Sequence, residues 1–92
     1  MLPIEWRKSA KTDLYKILDF IGEHNEMAAE HLFERIEQLL EHVAEYPYFY
    51  KQSLRTPTLR EIVAHPNYIV LYLVAATHIE VVNVIHSRQE YP

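Results

Sequence analysis

Ninety-two residues suffice for one hydrophobic core but leave no room for a second lobe or a deep enclosed cavity, so function belongs on a surface or in a shallow groove. Hydrophobic residues at 49%, aromatic residues at 12% and the lack of cysteine exclude a disordered chain, a disulfide framework and a thiolate metal site. A net charge of −4 with only nine Lys and Arg suits neither non-specific nor sequence-specific DNA binding, which draws on many phosphate contacts, and a protein partner is the expectation.

The opening residues MLPIEWRKSAK contain no apolar run long enough for a signal peptide, and no segment approaches the roughly 18 to 20 apolar residues of a membrane span. A cytoplasmic protein forming a single domain over residues 1–92 is expected. Charge is unevenly spread. Seven glutamates against one arginine lie between Glu23 and Glu45, whereas Arg7, Lys8, Lys11 and Lys16 cluster near the start and Lys51, Arg55 and Arg60 in the middle.

Leu2, Ile4 and Trp6 alternate with Pro3, Glu5 and Arg7, the period of a half-buried strand. From Ser9 the period becomes helical, with Ala10, Leu14, Ile17, Leu18 and Ile21 on one face, Ser9 as N-cap and Gly22 near the C-cap. Asn25 can cap a second helix. Its stripe is Ala29, Leu32, Phe33, Ile36, Leu39, Leu40 and Val43, its glutamates line the other side, and Pro47 ends it. The two helices form an antiparallel hairpin that must bury its stripes. Residues 46–57, YPYFYKQSLRTP, have no clean period and read as a loop whose rings pin it to the core edge. Three strands follow, Leu59–Val63, Tyr68–Val74 and Ile79–Ser87, with a Pro66–Asn67 turn between the first two. This order gives an α+β fold in which the helix pair covers one face of a mostly antiparallel sheet.

Arg60, His65, His86 and Arg88 fall at strand edges and ends, where a small domain can present chemistry. The imidazole of His86 suits acid–base work, although a lone strand histidine is more often structural. Arg60 and Glu61 are strand neighbours and point to opposite faces. Arg60 is equally suited to bridging the helix glutamates or meeting a partner. The six histidines include no HExxH, and His31 with Glu34 is short of a ligand set, so neither a metal nor a cofactor is expected.

The segments SAKTDL at Ser9–Leu14, REIVAHPNYIVLYLV, and VVNVIHSRQ at Val81–Gln89, together with length and element order, resemble the RelE/ParE toxins of bacterial type II toxin–antitoxin systems over essentially the whole chain. The VIHSR ending and the tract leading into the Arg60 strand look most like the ParE branch. That resemblance implies an N-terminal strand, an antiparallel helix hairpin and a three-stranded antiparallel meander. It also implies a cognate antitoxin whose C-terminal segment wraps the toxin, with Leu2, Ile4, Leu14 and Leu18 as anchors. ParE members poison DNA gyrase and block replication without an enzymatic step of their own, which makes Arg60, His86 and Arg88 the target-binding candidates. The alternative in the same family is a RelE-like, ribosome-dependent mRNA endoribonuclease. In that alignment Arg88 matches a phosphate-stabilising arginine, Ile69 stands where a second catalytic arginine would be, and His86 and Tyr91 loosely imitate acid–base residues. A third reading keeps the fold and antitoxin surface without toxicity.

Overall fold

The computed structural model describes residues 1–88, and Tyr91 lies outside them. Its elements are β1 (Ile4–Trp6), α1 (Lys8–Gly22), α2 (Glu26–Glu45), β2 (Arg60–His65), β3 (Tyr68–Val74) and β4 (Ile79–His86). The expected order of strand, two helices and three-stranded meander is the order found. In space the sheet runs β1-β4-β3-β2. The meander is antiparallel, and β1 joins it in parallel alongside the last strand, with Ile4 opposite Ile79 and Trp6 opposite Val81.

Two helix termini differ from expectation. Ser9 is not the N-cap of α1. The chain passes from Trp6 into the helix within one residue, Arg7 occupies the cap position without a side-chain bond to the first turn, and Arg7 N donates to Val81 O at 2.9 Å. Ser9 is already inside the first turn, where its hydroxyl donates to Val82 O at 2.9 Å. Gly22 is the last helical residue rather than a left-handed cap. Glu23 follows in αR geometry, and no described residue has positive φ. Asn25 does cap α2, its Oδ1 accepting from Ala28 N at 3.1 Å.

The third and fourth strands fall where their apolar runs placed them, to within a residue, whereas β2 runs two residues beyond Val63. The β3–β4 register breaks once: Tyr72 is opposite Val81 but Leu71 is opposite Asn83, so Val82 is an extra residue on β4. Partners in register share a face, so the bulge turns every β4 side chain beyond it over. His86 is thereby opposite Tyr68, on the side facing the helices.

Both helices lie on one face of the sheet, α1 over β4 and α2 over β2. Leu14, Leu32, Ile36, Val43, Ile62, Val70, Tyr72, Ile79 and Val81 form the core between the layers, each under 5% exposed. Each such side chain contributes about 1.5–3 kcal/mol of transfer free energy. The stripe of α2 is split: Leu32, Ile36 and Val43 are buried, while Phe33 remains 39% exposed and turns toward the N-terminal strand.

Candidate functional site

Between the helix hairpin and the first residues of the chain runs an apolar groove of about 500 Å³. Leu2, Ile4 and Trp6 supply one wall, Leu14 and Tyr15 of α1 another, and Phe33, Leu40 and Ala44 of α2 the third, with Lys11, Glu37 and Glu41 also lining it. Leu2 is held there by its backbone, whose N–H donates to Ala44 O at 3.0 Å. Of the four anchors named from the resemblance, Leu2, Ile4 and Leu14 line this groove. Leu18 packs on the core outside it. Phe33 and Tyr15 were not singled out from sequence. The signal for Phe33 was its place at the margin of the α2 stripe.

The three target-binding candidates are divided between two places. Arg60 is opposite Tyr72 and His86 is opposite Tyr68, positions four residues apart on β3, or about 13 Å at roughly 3.3 Å per residue. At the His86 end, Tyr68 stacks edge-on with His86 at 5.5 Å and at a tilt with His65 at 5.6 Å. Arg88 is exposed, and its backbone N–H donates to His86 Nδ1 at 3.2 Å. That bond occupies the Nδ1 lone pair, so the neutral ring carries its proton on Nε2 and presents a donor there rather than a base. A shallow depression of about 280 Å³ adjoins this end, lined by Asp13, Lys16, Ile17 and Phe20 of α1 together with Tyr68, Val84 and His86. Lys16 was missed from sequence because only the bulge at Val82 turns His86 toward α1.

Arg60 does not bridge to the helix glutamates. Its Nη1 donates to Tyr50 O at 2.6 Å, and its guanidinium lies 5.0 Å from the centre of the Tyr48 ring. Nearby, the Tyr72 hydroxyl donates to Pro47 O at 2.8 Å, and burial pushes its pKa up to about 12 against the opposing pull of Arg60. The rings of residues 46–50 depart from expectation as well. Tyr50 is half-buried and packs on the core, but Tyr46, Tyr48 and Phe49 are 53%, 68% and 70% exposed.

The face of the sheet away from the helices carries Ile69, Leu71 and Leu73 of β3, with Glu61 and Val63 of β2, Ile85, Asn83 and Glu80 of β4 in register beside them, and Glu5 of β1 opposite Glu80. Its carboxylates are paired: Glu61 with Lys51 at 3.1 Å, Glu80 with Arg7 through two 3.1 Å bonds, and Glu5 with His78 at 3.4 Å. Arg7 holds the Glu80 carboxyl below its ordinary pKa, chiefly by hydrogen bonding. Among the described residues no three His, Cys, Asp or Glu side chains gather as metal ligands, and no helix is long and apolar enough to cross a membrane.

A mixed four-stranded sheet with a helix hairpin on one face, an apolar groove along the first strand and a thin scatter of polar groups at the sheet ends defines a small protein of α+β class. Residues 4–91 match the family model described as the ParE toxin of the type II toxin–antitoxin system parDE. Toxin RelE2 of Caulobacter vibrioides is 34% identical over 97% of this chain and 99% of its own length. Among solved structures, a chain of the chromosomal ParDE system of P. aeruginosa superposes with a TM-score of 0.79 at 15% identity, covering 94% of this chain and 96% of that one. The YoeB/ParE toxin of Agrobacterium tumefaciens gives 0.66 at 11% identity, covering 98% of this chain and all of that one. The chain belongs to the ParE toxin family of type II toxin–antitoxin systems, within the wider RelE/ParE group.

Proposed function

We propose that this toxin is held inactive by a cognate antitoxin whose segment docks in the groove of Leu2, Ile4, Leu14 and Phe33, and that once released it binds DNA gyrase and blocks replication in the bacterial cytoplasm, without a chemical step of its own. The observation that carries the second half is the composition of the open sheet face. Its register positions hold buried Leu71 and Ile85, partly or well exposed Ile69, Leu73 and Val63, the Asn83 amide bonded to Asp13, and three carboxylates, each already paired. Attack of a 2′-hydroxyl on the adjacent phosphate needs cations placed against the developing charge and a base for the hydroxyl. With Ile69 near the start of β3, where the resemblance would have a second arginine, and the His86 Nδ1 lone pair engaged, both are thin.

One feature favours the endoribonuclease as second reading. Lys16, His86 and Arg88 occur at the same end of β4, beside Asp13 and Tyr68. The test is induction without antitoxin, following DNA and protein synthesis separately by labelled-precursor incorporation, with Arg88→Ala alongside. Early arrest of DNA synthesis is expected. Early arrest of translation, abolished by Arg88→Ala, would replace gyrase with the ribosome.

For the groove, Leu2→Asp with Phe33→Asp places two charges on partly exposed walls without replacing a fully buried residue. Antitoxin affinity is expected to fall about 100-fold, or roughly 2.7 kcal/mol, with toxicity retained. Unchanged affinity by calorimetry would move the antitoxin elsewhere.

A further inference from the structure

Resting on the toxin reading above, we infer that the target is gripped by the loop of residues 46–60, through the exposed rings of Tyr48 and Phe49 and the Arg60 guanidinium, and that the surface it takes is a protein surface bearing a carboxylate beside an apolar side chain.

The rings project from a loop that is itself tied down. Pro47 O accepts the Tyr72 hydroxyl, Tyr50 O accepts Arg60, and His42 Nδ1 shares a hydrogen bond with the Tyr50 hydroxyl at 3.0 Å. Lys51 O accepts Glu61 N at 3.0 Å, and Ser53 N donates to Leu59 O at 2.9 Å. His42 also stacks against Tyr46 and Phe49 at 5.1 and 5.0 Å. A segment so anchored loses little freedom when it binds, and rigid aromatics with arginine are the residue types on which interface energy concentrates. Leu54, 93% exposed, lies in the same loop. Exposed apolar residues in this number on one short segment mark an interaction surface rather than ordinary surface scatter.

Charge selects the partner's chemistry. Residues 46–60 hold three cations and no acid, while the other 77 residues hold six cations against thirteen acids. The contacts of Arg60 are a carbonyl and a ring face, neither of which neutralises it. Ring and cation side by side would also suit a base and its phosphate. Repulsion from the acidic remainder of the chain disfavours a polyanion, however, and favours a single carboxylate on a protein.

The test compares wild type, Tyr48→Ser with Phe49→Ser, Arg60→Lys and Arg60→Glu for growth arrest on induction and for antitoxin binding, with poly(U) at physiological salt as a nucleic-acid probe. The double variant and Arg60→Glu are expected to lose arrest by at least tenfold in the inducer required, Arg60→Lys to keep most of it, and all to bind antitoxin as wild type does, which shows that they fold. Arrest undiminished in the double variant overturns the loop while leaving the toxin reading intact. Poly(U) binding that depends on Tyr48 and Phe49 overturns the protein-carboxylate assignment. If wild type causes no arrest, the toxin reading fails and the inference falls with it.

Discussion

The two edges of the sheet are closed by different chemistry. On the α1 side β1 pairs with only Ile79–Val81, and the remaining outer edge of β4 is taken up by helix side chains: Ser9 donates to Val82 O, while Asp13 accepts from Val84 N at 3.1 Å and from Asn83 Nδ2 at 3.0 Å. On the α2 side, β2 is covered by the backbone of the loop, through Glu61 N to Lys51 O and an isolated bridge between Gln52 and Arg60. Exposed strand edges are templates for unwanted pairing, and both devices remove one. They differ in what they leave available. A helix closing an edge with its side chains spends its polar groups there, whereas a loop closing an edge with its backbone keeps its side chains to display. The loop is therefore the side on which the rings project, with the half-buried Arg60 guanidinium held beside Tyr48.

Removing Asp13 is the sharpest way to break this comparison. Asp13→Ala leaves the part-buried Val84 N–H and the Asn83 amide without their acceptor, and a loss of about 2 kcal/mol is expected in urea denaturation. Asp13→Asn keeps one acceptor oxygen and should recover part of it. A loss below about 0.5 kcal/mol for the alanine would mean that the bulge is held by the strand ladder alone.

On the loop side the corresponding bond is Tyr72 to Pro47 O, and Tyr72→Phe is expected to cost about 1 kcal/mol. The same residue gives this edge a pH signature. Burial raises its pKa from 10.0 to about 12, so at alkaline pH the folded state holds a proton that the unfolded state has released. Its contribution is fully present below pH 10 and is lost as pH rises toward 12. Wild type should therefore lose stability more steeply than Tyr72→Phe across that window. Parallel curves would remove the tyrosine from the account.

A feature was legible in the sequence to the extent that its signal repeats along the chain. The run Tyr68–Val74 and the α2 stripe repeat their signal over many residues, and both elements were placed closely. The bulge at Val82 is a single event with no compositional mark. Counting back from Val74 opposite Ile79 without it would set Ile85 beside Tyr68 and turn His86 to the open face. Arg60 and the rings failed differently. The exposure of the rings and the half-buried setting of Arg60 depend on backbone bonds to Pro47, Tyr50 and Lys51, and the sequence shows the residues but not those anchors. Leu2, Ile4 and Leu14 were named through the family resemblance, and the structure places all three along one groove. The groove they line needed the helix crossing to bring Phe33 opposite them.

A smaller effect than either of these is expected from Ser9→Ala, roughly 0.5–1 kcal/mol. Val82 O, a carbonyl with two lone pairs, loses one part-buried donor, and α1 has no Ser9 cap to lose. If Ser9→Ala matched Asp13→Ala in size, the hydroxyl would be a principal clasp of the edge rather than an accessory to the carboxylate.

The finest test concerns the short strand itself. Glu5 and Glu80 are register partners of the parallel β1–β4 pair, an arrangement that would repel were Arg7 not bonded to Glu80 and His78 not close to Glu5. Because Arg7 lowers the Glu80 pKa below its ordinary 4.5, the unfolded chain takes up a proton first on acidification. The contribution of the pair is thus present above about pH 4.5 and fades as pH falls through the lower folded value. Glu80→Gln should be slightly less stable than wild type at pH 7, and the gap should close in acid and shrink with added salt, as expected of an exposed ion pair. A variant more stable than wild type at pH 7 would show that repulsion from Glu5 outweighs the bond from Arg7. In that case β1 would be held by its backbone ladder and by Ile4 and Trp6 packing on the core, and not by charge.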